Sequence, residues 1–148
     1  MTLPDPVPGL VLNYSYLWAR EAARGQEEGL KDRPCAILAV QEQNGRKYVF
    51  VAPITHSAPQ SQNESILLTP STKRRLGLDD DKSWLMCTEI NRFEWPGVDL
   101  RAAPNNKDRS PVYGPLPAAV SHAAKELLQT INQKRQLKIV PRAGMGLK

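Results

Sequence analysis

The chain has 148 residues, of which 41% are hydrophobic and 24% are charged, and this length and composition predict one soluble globular domain over residues 1–148. Its 20 Lys and Arg residues outweigh 15 Asp and Glu residues to give a net charge of +5, which favours a polyanionic partner without requiring one. No apolar run is long enough to cross a bilayer and the N-terminus lacks the features of a signal peptide, so we expect a cytoplasmic protein without a membrane partner.

The first predicted elements are an irregular arm and a half-buried strand. Prolines interrupt residues 1–8, which argues against regular structure there. Between Gly9 and Trp18, apolar and polar residues alternate as they do in a strand with one buried face. The charged segment from Ala19 to Asp32, interrupted by Gly25 and Gly29, predicts a long loop, and long polar loops beside a site often take part in function.

The centre of the chain is predicted to form a β-hairpin. The apolar run Cys35–Val40 is typical of a strand buried on both faces, and Asn44-Gly45 is a strong turn signal because both residues tolerate positive φ. In an antiparallel pair, the start of the first strand lies beside the end of the second. We therefore expect Arg33 and Thr55 to be neighbours at one rim of the sheet.

Shorter elements follow the hairpin. A short strand is expected over Ser65–Leu68, and T-P-S-T-K-R-R-L-G-L then carries the capping residues of a helix of one or two turns, which Gly77 closes. Ser83–Phe93 is the longest strand candidate because its apolar residues alternate. The segment V-D-L-R, residues 98–101, predicts one more short strand.

The C-terminal part predicts the one long helix. Apolar residues recur on one face from about Pro117 to Arg135, and the basic tail over residues 136–148 is expected to be loosely held. Several short strands followed by a helix are typical of a compact half-barrel whose open side the helix covers.

The two cysteines, Cys35 and Cys87, lie inside strand-like runs. Neither has a second Cys or a His at metal-ligand spacing, and a disulfide is improbable in a reducing cytosol. We expect two buried free thiols, and neither a metal nor a cofactor.

Ordered landmarks in the chain resemble those of the PemK/MazF-like toxins of bacterial type II toxin–antitoxin systems. They are G-L-V-L in the first strand, a Glu- and Gly-bearing loop, R-P-C-A-I-L, V-F-V-A-P-I-T, and G-P-L-P before an amphipathic helix. The resemblance covers about residues 8–132. It implies a mainly β fold with helices, an SH3-like small barrel of five to seven strands plus a C-terminal helix, which forms a homodimer.

The same resemblance implies a growth-inhibiting toxin that cuts single-stranded RNA, such as mRNA, as a metal-independent endoribonuclease, and a cognate antitoxin protein as its partner. The family's active-site arginine corresponds to Arg33, its threonine to Thr55, and its loop glutamate to Glu27 or Glu28. The chain departs from the family pattern in two ways: its first loop is longer, and His56 follows the threonine.

RNA cleavage without a metal needs few protein groups because the 2′-hydroxyl of the RNA is the nucleophile. The planar guanidinium of Arg33 suits the charged phosphorane, and the Thr55 hydroxyl can donate to another phosphate oxygen. A loop glutamate or His56 can take the 2′-hydroxyl proton. The products would be a 2′,3′-cyclic phosphate and a 5′-hydroxyl end.

Further residues are candidates for contact with the RNA, as phosphate-tracking charges or as an aromatic ring that stacks on a base. The phosphate-tracking candidates are Lys31, Arg92 and Arg101, the stacking candidate is Trp95, and Glu28 of the first loop is a further candidate for contact with the substrate. The basic cluster at residues 73–75 either binds phosphate or is a solvated helix face.

Two other functions stay open. One is a non-catalytic barrel toxin that binds a protein target such as gyrase, and the other is a degenerate family member that binds nucleic acid without cutting it. The presence of both Arg33 and Thr55 favours cleavage, whereas the altered first loop is consistent with a degenerate member.

Overall fold

The computed structural model describes residues 3–27, 29, 31–61, 63–104 and 107–142. Within them the chain forms eight strands and three helices. The strands are β1 (Leu10–Tyr14), β2 (Arg33–Gln43), β3 (Arg46–Thr55), β4 (Ser65–Leu67), β5 (Trp84–Met86), β6 (Glu89–Glu94), β7 (Val112–Pro115) and β8 (Lys138–Pro141). The helices are α1 (Ala19–Ala23), α2 (Pro70–Leu76) and α3 (Ala118–Gln133). The mainly β fold with a C-terminal helix is confirmed, with one strand more than the expected range.

One sheet contains all of these strands. Its main path runs β4-β5-β3-β2-β1-β7, and β6 pairs with both β3 and β8. The pairings are antiparallel except that of β6 with β8, which is parallel. The sheet is curled but not closed, as expected for a half-barrel, and residues 3–8 lie outside its helices and strands.

The central hairpin has the predicted turn, and its register shifts by one residue between Ile37 and Ala39. Asn44 and Gly45 adopt φ angles of 54° and 77°, which L-residues other than Asn and Asp rarely adopt and glycine adopts freely. The ladder from this turn runs back to the pair Cys35 and Pro53. Continued by two residues, it brings Arg33 and Thr55 to the same rim.

Both faces of the hairpin are buried because successive strand residues point to opposite faces. Val49 and Val51 belong to a cluster with the aromatic rings of Tyr14, Tyr16 and Phe93. On the other face, α2 and α3 contribute side chains to a second cluster. Its hairpin and helix members include Ala36, Leu38, Ala52, Ile54, Leu76, Ala124, Leu128 and Ile131. The terminal helix therefore covers one side of the sheet, as predicted.

The prediction of one continuous strand over Ser83–Phe93 is wrong. The chain leaves strand geometry at Cys87–Thr88, between β5 and β6. Both strands pair with β3, but β6 pairs with Tyr48–Val51 and β5 with Ile54–Thr55, in a different register. The alternating sequence is thus divided because the curled sheet needs a corner beside β3.

Two expectations about edge segments are also wrong. Residues 98–101 form no strand, and their pairing is an isolated bridge between Tyr14 and Leu100. Conversely, β7 was not expected because Pro111, Pro115 and Gly114 obscure it in the sequence. It pairs with β1 alone, and prolines are tolerated on an edge strand because one row of its amides has no strand partner.

The prediction of a loosely held tail is wrong for residues 138–142. Strand β8 lies parallel to β6, and its Val140 is 6% exposed. The side chain of Arg142, two residues further on, is 2% exposed and lies 2.9 Å from a carboxylate oxygen of Asp99. This burial holds the end of the described chain against the sheet, while residues 143–148 lie outside the described residues.

The two thiols behave as predicted. Cys35 and Cys87 are free and buried, and burial raises the pKa of both, that of Cys87 to about 12. None of the helices in the described part of the chain combines the length and hydropathy that a membrane span needs.

Candidate active site

A pocket of about 470 Å³ lies at the rim where β2 begins and β3 ends. Four segments line it: the β1–β2 connection, the start of β2, the end of β3 and the loop after α2. Its polar lining includes Glu21, Arg33, Thr55, His56 and Asp79. The hairpin therefore brings the predicted arginine, hydroxyl and imidazole to one cavity.

Arg33 is half-buried in this pocket. Its Nε is buried and has no hydrogen-bond partner among the described residues, and the guanidinium carbon lies 5.1 Å from the ring centroid of Trp18. Burial lowers the pKa of Arg33, while the charge of nearby Glu21 acts in the opposite direction. A buried donor without a protein partner is uncommon, and here it belongs to the side chain best suited to a phosphate.

Helix α1 positions the wall that Arg33 contacts. The Trp18 amide donates to the Glu21 carboxylate at 3.0 Å, and the backbone N–H of Leu17 donates to Asn91 Oδ1 at 2.9 Å. The Ala19 amide donates to Glu89 at 2.9 Å. Two side chains of β6 thus fix the entry into α1, and with it the ring beneath Arg33.

Glu21 is a pocket residue that the sequence analysis missed, as is Asp79. It is 5% exposed and lines the pocket. A glutamate three residues after a helix cap is a known signature of a helix start. The residue at the cap is Trp18, whereas that signature needs a Ser or Thr there, so the sequence carried only the second half of the pattern, Glu21.

Thr55 and His56 end the second hairpin strand. Thr55 is 8% exposed, and its Oγ1 accepts from the backbone N–H of Ser57 at 3.1 Å. The hydroxyl hydrogen therefore remains available to donate. His56 is exposed, and its Nε2 lies 2.9 Å from Oδ2 of Asp79.

Asp79 receives donors from three directions. Lys73 Nζ donates to its Oδ1 at 2.8 Å, and the backbone N–H of Asp81 donates at 3.1 Å, in addition to His56. The contacts with Lys73, foremost, and with His56 lower the pKa of the Asp79 carboxyl. The group therefore carries its negative charge throughout the neutral range.

Lys73 fits neither interpretation of the basic cluster. It is 4% exposed and donates to Asp79 and to the carbonyl oxygen of Asp81. Arg74 and Arg75 beside it are exposed. The lysine is therefore an internal counter-charge for the loop after α2.

The described residues contain one group that could hold a metal ion: His56, Asp79 and Asp81 place one ligand atom each within 4.8 Å of the others. All three residues are exposed. The Lys73 ammonium already contacts the Asp79 carboxylate, so a cation is supplied there by the chain itself. We assign no metal to this group.

Of the other described residues that the sequence predicted for the site, one lines the pocket and the others do not. Lys31 lines the pocket. Glu27 is exposed and does not belong to the lining, and its carbonyl oxygen accepts from Arg142 at 3.4 Å. Glu28 lies outside the described residues.

Three predicted substrate-binding residues lie away from the lining of the pocket. The guanidinium carbon of Arg92 lies 4.2 Å from the ring centroid of Tyr48. The ring of Trp95 packs on Phe93 with centroids 6.3 Å apart. Arg101 is nearer the pocket, because its Nε lies 3.8 Å from the Asp32 carboxylate, and that residue lines the pocket.

This fold and site define a class: a small, mainly β protein whose central hairpin carries an arginine and a threonine into a rim pocket suited to an anion. Residues 16–96 match the family described as PemK-like, MazF-like toxin of type II toxin-antitoxin system. The match covers more than half of the chain and spans every lining residue of the pocket. The chain belongs to this toxin family, which implies an antitoxin as its partner. No curated protein matches the chain.

Proposed function

We propose that this toxin is an endoribonuclease that cuts single-stranded RNA without a metal. The observation that carries the proposal is the buried Nε of Arg33, which has no partner among the described residues, in the pocket shared with Thr55 and His56. A guanidinium held in this way is preorganised for a phosphate, and its Nε–H gives up no protein hydrogen bond among the described residues when RNA binds. A toxin that acts by binding a protein has no evident need for this set of groups.

His56 is the base in this proposal, since it lines the pocket and Glu27 does not. The imidazole removes the 2′-hydroxyl proton, and the 2′-oxygen attacks the adjacent phosphorus. Arg33 stabilises the charge on the phosphorane while Thr55 donates to a second phosphate oxygen. The 5′-oxygen leaves and takes a proton from water, so that a 2′,3′-cyclic phosphate and a 5′-hydroxyl end result.

The biological setting follows from the family. We propose that the toxin acts on mRNA in the cytoplasm as a homodimer, and that its antitoxin covers the pocket around Arg33 with an acidic or apolar segment. Light scattering on the purified protein would give a mass twice that of one chain if the dimer forms.

The test is incubation of the purified protein with a long unstructured RNA in EDTA, followed by end-group analysis. We expect fragments with cyclic phosphate ends, and a loss of about 10²–10³-fold in rate for Arg33→Ala, the usual cost of removing a preorganised donor. Arg46→Ala is the matched control because Arg46 is exposed at the far end of the same hairpin.

Intact RNA of every tested sequence, with a folded wild-type protein, would overturn the proposal. Inhibition of gyrase supercoiling would then be measured as evidence for a toxin that binds protein. Cleavage that Arg33→Ala leaves unchanged would remove this pocket from the mechanism.

A further inference from the structure

The loop after α2 is built to hold one carboxylate in a fixed place. Helix α2 ends at Gly77 with a φ of 73°, and the Leu78 N–H donates back to the carbonyl oxygen of Lys73 at 2.9 Å. This left-handed turn reverses the chain. It thereby returns Asp79 to the Nζ of Lys73, and Asp79 reaches the lining of the pocket.

The buried ammonium makes this arrangement rigid. A lysine at 4% exposure carries a large desolvation cost unless an anion compensates it. Among the described residues, the side chain that supplies this anion is Asp79. The carboxylate is therefore bound by Lys73 through Oδ1, and both of its oxygens lie within hydrogen-bond distance of His56 Nε2, at 2.9 Å for Oδ2 and 3.1 Å for Oδ1.

This contact selects one tautomer of the imidazole. An ionised carboxylate only accepts hydrogen bonds, so the nitrogen that faces it must carry the hydrogen. That nitrogen is Nε2. In the neutral ring, Nδ1 is then left with a lone pair, which is the form that a general base requires.

We propose that Asp79, anchored by Lys73, is a positioning residue that keeps His56 oriented with Nδ1 free to accept the 2′-hydroxyl proton. The inference rests on the proposed ribonuclease function and extends it beyond Arg33 and Thr55. In the step that it assists, the O2′–H bond breaks as the proton moves to Nδ1, O2′ bonds to phosphorus, and the P–O5′ bond breaks. The O5′ proton comes from water, and His56 returns its own proton to solvent.

The contact between His56 and Asp79 contributes little to the stability of the fold. The side chains of His56 and Asp79 are 56% and 52% exposed, and ion pairs with that exposure contribute little to stability. Bound RNA would cover the pair and exclude water, which strengthens the same contact. The value of the pair therefore lies in orienting the ring during catalysis.

Single-turnover cleavage is measured for wild type, Asp79→Asn, His56→Ala and the double variant, with Asp80→Asn as a control of equal charge change one residue away. Asparagine has no charge and its NH2 group can donate to Nε2, which favours the tautomer with the hydrogen on Nδ1. We therefore expect kcat to fall about 10²-fold or more with KM within about twofold. In the His56→Ala background, Asp79→Asn should have no further effect, because Asp79 acts only through that ring.

A second readout does not depend on activity. Nitrogen-detected NMR of His56 should show the hydrogen on Nε2 in the neutral wild-type ring, and a shift toward Nδ1–H in Asp79→Asn. If Asp79→Asn fails to fold because Lys73 loses its counter-charge, it is combined with Lys73→Met and compared with that single variant.

The outcomes separate the two proposals. A wild-type protein that cuts RNA, with Asp79→Asn cutting equally fast, overturns this inference alone. The same holds if Asp79→Asn lowers kcat equally with and without His56. A folded wild type that cuts no RNA overturns the proposed function and this inference with it.

Discussion

Replacement of Arg142 by alanine is expected to lower the free energy of unfolding by about 3–5 kcal/mol, the usual cost of removing one partner from a buried ion pair. The Arg142 side chain is 2% exposed and lies 2.9 Å from Asp99. It also donates to the Ser15 carbonyl oxygen at 2.8 Å and to Asn91 Oδ1 at 3.0 Å. Alanine removes the donor of these hydrogen bonds, and water has too little access to this buried place to replace it.

Urea unfolding followed by tryptophan fluorescence measures this loss. Arg135→Ala is the control because Arg135 is exposed after α3, and its effect should stay within about 0.5 kcal/mol. The pair Arg142→Met with Asp99→Leu should be more stable than Arg142→Ala, since no uncompensated charge stays buried. A loss below about 1 kcal/mol for Arg142→Ala, or a double variant no more stable than the single one, would refute the reasoning.

Two further predictions concern buried polar groups. Asn91→Ala removes a side chain that bonds both the N–H and the carbonyl oxygen of Leu17, so thermal unfolding should show a loss of at least about 2 kcal/mol, with exposed Asn132→Ala as control. The second prediction concerns Cys87, whose thiol has a reference pKa of 9.0 in the unfolded chain and a pKa that burial raises to about 12 in the folded protein. Above pH 9.0 the thiol therefore ionises in the unfolded chain while it stays neutral in the folded protein. The free energy of unfolding should then fall by about 1.4 kcal/mol per pH unit for each buried thiol, and Cys87→Ala should show a shallower slope in urea titrations between pH 8 and 11; equal slopes would contradict this.

The hairpin and its rim were predictable because their signals are local. An apolar run, a two-residue turn and the geometry of an antiparallel pair predict that the start of β2 lies at the same rim as the end of β3. The bulge between Ile37 and Ala39, which shifts the pairing by one residue toward Thr55, was not predicted. The ends of α2 were also predictable from local sequence, because Thr69 accepts from the Thr72 N–H and Gly77 takes the left-handed conformation.

The partners that come from distant parts of the chain were not predictable. Strand β8 has only four residues, and its parallel pairing with β6 depends on a buried Arg142 whose partners lie far away in sequence. The acidic run at residues 79–81 is typical of a solvated corner, and only the fold brings a buried lysine beside it. Such pairs need the tertiary structure because neither residue signals the other.

The far end of the central hairpin offers a point of attachment for a reporter. The turn at Asn44-Gly45 is exposed, and a Cβ added at Gly45 would meet no other atom within 4 Å. Strand β3 separates it from Thr55 by a contour of about 30 Å. A fluorophore on exposed Gln43, or a peptide tag inserted at the turn with its left-handed residues retained, would follow the protein in solution or in a cell without entering the pocket.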